Sequence, residues 1–78
     1  MVYNIRLDNV EKVKKYISIA FAFPGTLTIK NENYVVNGNS ILGVFSLNLS
    51  KDLELSLDNC NDAEEKEFIK KIDEFLVK

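Results

Sequence analysis

Leu53-Glu54-Leu55-Ser56-Leu57 alternates apolar and polar side chains without a break. Successive side chains of a strand point to opposite faces, so this segment buries its three leucines on one side and leaves Glu54 and Ser56 in water. A sheet built of such strands is covered on one face only. Outward from this segment the same period recurs. In residues 2–7, Tyr3, Ile5 and Leu7 turn inward and Asn4 and Arg6 outward. In residues 26–30, Leu27 and Ile29 turn inward and Thr26, Thr28 and Lys30 outward. Asn31-Glu32-Asn33 is turn-like, so residues 34–37 pair back as a hairpin.

Between the strands the period changes to that of a helix. Asp8 offers an N-cap, with Glu11 three residues on to complete a capping-box pattern. The helix that follows is expected to reach about residue 22, with Val10, Val13, Ile17, Ala20 and Phe21 on its apolar face. Pro24 stops it. Asn37-Gly38-Asn39 breaks the hairpin, and Ser40 can cap a short helix running to residue 46 or 47. Asn61 or Asp62 caps the last helix, with Glu64 or Glu65 three residues later. Phe68, Ile69, Ile72, Phe75 and Leu76 form its buried stripe. The order is β-α-β-β-α-β-α. The expected architecture is α+β, an open-faced sandwich of a four-stranded antiparallel sheet with three helices on one face, formed by residues 1–78 as a single domain.

The chain has 78 residues, one cysteine, no histidine and a net charge of −2. One thiol allows no intramolecular disulfide, and Cys60 alone cannot assemble a zinc site. Stability therefore comes from apolar burial, for which a hydrophobic fraction of 46% is ordinary. The acidic balance argues against nucleic acid as a partner. No apolar run approaches a membrane span. The first residues lack a secretory pattern, and the cytoplasm is the expected compartment. Lys12, Lys14 and Lys15 beside Glu11 read as a solvated helix face. Asp58-Asn59-Cys60-Asn61-Asp62 lacks the glycine and the glutamate of a calcium loop. Asp58 and Asp62 are expected to oppose a thiolate at Cys60. No metal or cofactor motif and no nucleophile–base pair is visible, so no cofactor and no enzyme activity are expected.

One stretch carries more. Asn39-Ser40-Ile41-Leu42-Gly43-Val44-Phe45-Ser46-Leu47 resembles the segment around the regulatory serine of HPr, the small phosphocarrier of the bacterial sugar phosphotransferase system. In HPr proteins of Gram-positive bacteria that segment reads roughly Lys-Ser-Ile-Met-Gly-Val-Met-Ser-Leu. Asn39 stands in place of the lysine, Leu42 of the first methionine and Phe45 of the second. The element order resembles that family too, most clearly over residues 27–76.

The family's phosphoacceptor histidine stands at the start of the first helix, followed by an arginine and a proline. Ungapped counting puts Asn9 at the histidine position, Glu11 at the arginine and Lys12 at the proline. A carboxylate there repels phosphate, and an amide cannot form the phosphoramidate. The resemblance therefore implies a non-catalytic, HPr-like binding or regulatory protein that is unable to carry phosphohistidine. Its partner would be a phosphotransferase-system component or a transcription regulator.

On that reading Ile41, Leu42 and Phe45 bind the partner, although some of Ile41, Val44 and Leu47 must instead pack the core. Ser40 is the candidate regulatory phosphosite, with HPr kinase as a further partner, and is equally a plain N-cap. The alternatives are a serine-phosphorylated switch in carbon catabolite regulation and an interaction module unrelated to sugar transport. The expected state is a monomer or a weak homodimer, since one sheet edge is uncovered.

Overall fold

The computed structural model describes residues 2–77, in the order β1 (Val2–Ile5), α1 (Val10–Ala20), β2 (Thr26–Asn31), β3 (Tyr34–Asn37), α2 (Ile41–Phe45), β4 (Leu53–Asp58) and α3 (Asp62–Lys71). A 3-10 turn, Asp73–Phe75, follows α3. The strands form one sheet in the order β1-β4-β2-β3, with every neighbouring pair antiparallel. The alternating segment β4 is thus central. Leu55 lies opposite Tyr3 on one side and Ile29 on the other, and Ile29 lies opposite Val36. This row faces the helices. The fold class and element order are those expected from the sequence.

The core sits between sheet and helices. Ile5, Ile29, Leu53, Leu55, Val13 and Tyr16 are fully buried within it. Each such side chain contributes roughly 1.5–3 kcal/mol of burial free energy against chain entropy.

Several local expectations are corrected. Asn9, not Asp8, caps α1: its side chain accepts from the Lys12 amide at 2.9 Å. Asp8 instead pairs with the Lys12 ammonium at 2.9 Å. The helix ends at Ala20 rather than near residue 22. Val10 and Phe21, assigned to its apolar face, are 52% and 72% exposed, while Tyr16 is buried and was not foreseen. β1 stops at Ile5, and Leu7 is buried beyond the strand. β2 continues through Asn31, whose buried amide donates to the Asn48 carbonyl at 3.0 Å. Asn61 closes a full capping box with Glu64 on α3. The stripe expected to continue along one helix is divided, since α3 ends at Lys71 and Phe75 is buried from the 3-10 turn. Ile69 and Leu76 are only partly buried.

The two sheet edges differ. Along β1, the Arg6 amide donates to the Phe75 carbonyl and the Val77 amide to the Asn4 carbonyl. Leu76 bridges Ile5 between them. Among the described residues, nothing pairs along the outer side of Tyr34–Val36 on β3.

Candidate functional site

The side chain of Ser40 organises α2. It is extended (φ −97°, ψ 113°), and its Oγ accepts from the Gly43 amide at 3.1 Å. That satisfies one of the amides a helix start leaves free. The Ser40 carbonyl then accepts from Val44 at 2.9 Å. Ser46 closes the other end, its hydroxyl donating to the Gly43 carbonyl at 2.6 Å. Gly43 lets the helix sit close on the sheet edge, because a Cβ there would lie 3.2 Å from Val36 Cβ.

Five residues make little more than one turn, so the inward face of α2 is small. Val44 is fully buried, and Leu47 just beyond the helix is nearly so. The three residues singled out in the sequence point the other way: Leu42 is 81% exposed, and Ile41 and Phe45 are 39% exposed each. The core therefore takes Val44 and Leu47 but not Ile41. Ser40 is half-buried, and no acidic residue occupies the first turn of α2. Asn39 is exposed, its amide donating to Asn37 Oδ1 at 3.2 Å. Exposed large apolar groups gathered on one short helix are the composition of an interface centre. Tyr34 and Val35 on the adjoining strand β3 are also well exposed. Sequence reading missed them because alternation in a hairpin usually assigns one of each pair to the core.

The start of α1 is different in kind. Asn9, Glu11 and Lys12 line a shallow groove of about 530 Å³ together with Lys14, Lys15, Ser18 and Glu74. Two of its three lysines are matched by carboxylates: Lys12 to Asp8, and Lys15 to Glu74 at 3.2 Å. The hydrogen bond from Lys12, followed by its charge, holds the Asp8 carboxyl below its ordinary range. Glu11 lies in the first turn, where the helix would otherwise favour an anion. Asn9, at the expected histidine position, is committed to capping. The groove brings together all three residues placed there from sequence, but as a largely charge-matched surface without an imidazole.

Cys60 is partly buried, and its thiol is pushed up by burial first and then by Glu65 and Glu64. The carboxylates expected to oppose a thiolate are therefore chiefly those of α3; Asp58 acts in the same direction but less, and Asp62 is not among the causes.

Taken together these features define an HPr-like open-faced sandwich. The chain superposes on the crystal structure of HPr-C-His from Thermoanaerobacter tengcongensis with a TM-score of 0.74, over 95% of this chain and 88% of that one, at 26% sequence identity. No family model and no curated protein matches the sequence. Among the described residues, no helix is long and apolar enough to cross a membrane.

Proposed function

We propose that the protein is a non-catalytic binding module of the HPr type that docks a protein partner through α2. The partner class is a component of the sugar phosphotransferase system or a transcription regulator linked to it. The observation that carries this reading is the outward presentation of Leu42, Phe45 and Ile41 from a helix anchored by Val44. The HPr-like fold supports the partner class. The absence of any histidine argues against phosphohistidine transfer. A binding screen against the host's phosphotransferase-system proteins and regulators tests it. Binding is expected, and Phe45→Asp or Leu42→Asp weakens it at least about tenfold, since each buries a charge in the contact. No partner, or a partner indifferent to both substitutions, overturns the reading. With phosphoenolpyruvate and the first enzyme of the system, the intact mass stays unchanged.

A second reading is favoured by one feature of Ser40: it is partly exposed at the end of a helix whose first turn holds no carboxylate. A phosphate there would meet free amides and no opposing charge. Incubation with the host's HPr kinase and ATP adds one phosphate on this reading, and Ser40→Ala abolishes the addition.

A further inference from the structure

Residues 33–50 contain no Asp, Glu, Lys or Arg, in a chain of which 28% is charged. The fold gathers this stretch at one edge, as β3 and the α2 helix packed on it. Among the described residues β3 is also the bare edge, whereas residues 75–77 close the β1 edge. Edge strands are usually protected by lysine, proline or a bulge. Tyr34-Val35-Val36 has none of these, and Tyr34 and Val35 are 67% and 63% exposed.

We infer that β3 pairs antiparallel with β3 of a second copy of this chain, about a two-fold axis through Val35. Charge selects both the partner and the direction. A surface without charge meets its own copy without like-charge repulsion. Of the charges nearest β3, Glu32 and Lys51 lie at its first end and pair at 2.7 Å, while Lys30 stands opposite Val35 on the inner neighbour β2. The other end, Asn37-Gly38-Asn39, is neutral. Antiparallel pairing sets the charged end of one copy against the neutral end of the other. Parallel pairing would stack Glu32 on Glu32.

Facing residues of a strand pair share a side of the sheet. Val36 faces the helices, in the row of Ile29, and Val35 faces away. Centring on Val35 therefore places Val35 against Val35 on the open face and Tyr34 against Val36 beneath the helices. Both helical layers stay on one side, giving a continuous eight-stranded sheet. The pairing is independent of which partner α2 binds.

Sedimentation equilibrium of the full chain tests the inference. A dimer is expected at concentrations up to about 1 mM, with Val35→Lys and Val35→Glu each raising the dissociation constant at least about tenfold. Both substitutions are at a well-exposed position, and circular dichroism checks that the fold is kept. Because position 35 meets itself, an equimolar mixture of the two variants recovers the dimer through a Lys–Glu contact. A wild-type chain that stays monomeric, as it would if the edge served only a foreign strand, overturns the proposal. So does a dimer unaffected by either variant, or a mixture that associates no better than each variant alone.

Discussion

The start of α1 and the exposed face of α2 lie on adjacent helices but are built on opposite principles. At α1 most of the groups that could hold an anion are engaged: Asn9 caps, Lys12 pairs with Asp8 and Lys15 with Glu74, and Glu11 repels. At α2 nothing is charged, and the helix turns three large apolar groups to solvent. The first surface satisfies itself. The second leaves apolar area open to solvent, which is the composition of an interface centre. The contrast supports α2, rather than the α1 groove, as the docking surface proposed above.

The sharpest way to break this contrast is through the packing beneath α2. Leu47→Ala removes a buried side chain and is expected to cost about 2–5 kcal/mol in urea unfolding. Leu42→Ala, one turn away on the exposed face, should cost less than about 0.5 kcal/mol while still weakening partner binding. Similar losses for both would mean that Leu42 packs against the fold in solution.

Capping comes next in size. Ser40→Ala, Asn9→Ala and Asn61→Ala each remove a side-chain acceptor from a helix start, at about 1 kcal/mol apiece. Asn61→Ala is expected to be the mildest, because the residue 61 amide still donates to Glu64 Oε1 and only the bond from the Glu64 amide is lost. Ser40→Ala differs in kind: α2 is short enough that its loss loosens the docking face as well. Amide exchange at Val44 and Ser46 reads that loosening directly, and unchanged protection there would separate Ser40 from the recognition surface.

The caps also show how far the sequence could be read. The β4 alternation and the separation of Val44 from Leu42 and Phe45 were legible, because period alone sorts buried from exposed in a sheet with one covered face. The cap of α1 was not. Asp8 and Asn9 are both good capping residues, and only the Lys12 ammonium, which engages Asp8, decides between them. Tyr16 was missed because its period on α1 overlaps that of lysines. The split of the last stripe at Lys71 depends on Phe75 reaching the core while residues 75–77 pair with β1, a long-range contact invisible in any local window. An uncovered sheet edge was expected, but that it is β3, with Tyr34 and Val35 exposed, depends on the same pairing of residues 75–77 with β1.

Tyr16 connects the two regions, since a Cβ on Gly38, just before α2, would lie 3.0 Å from its hydroxyl. That hydroxyl is buried with no hydrogen-bond partner among the described residues. Leaving such a group unpaired is unfavourable, so Tyr16→Phe should raise stability by up to about 1 kcal/mol. A loss instead would place an ordered water on the hydroxyl, between α1 and the turn that leads into Ser40.

The smallest effects are in pH, and they separate the regions most cleanly. The hydrogen bond that Tyr3 donates to Glu65 at 2.7 Å, with burial, pushes its phenol up to about 12. Its stabilising contribution is complete below the unfolded value near 10 and is lost as pH rises through the folded one. Tyr3→Phe should remove that alkaline slope. Asp8 has the opposite sign: its carboxyl is depressed, so its contribution is complete above the unfolded value and fades as pH falls through the folded one. Acid therefore loosens the start of α1, while α2, which has no titratable side chain, holds its shape. A carbon-13 titration should find the Asp8 midpoint below an ordinary aspartate, shifting back in Lys12→Gln, with the Leu42 methyl signals unmoved. Partner affinity should likewise be flat between about pH 5 and 9 and nearly independent of salt, because charges outside the contact are screened. A strong salt or pH dependence that follows Lys12 or Lys15 would transfer recognition from α2 to the α1 groove.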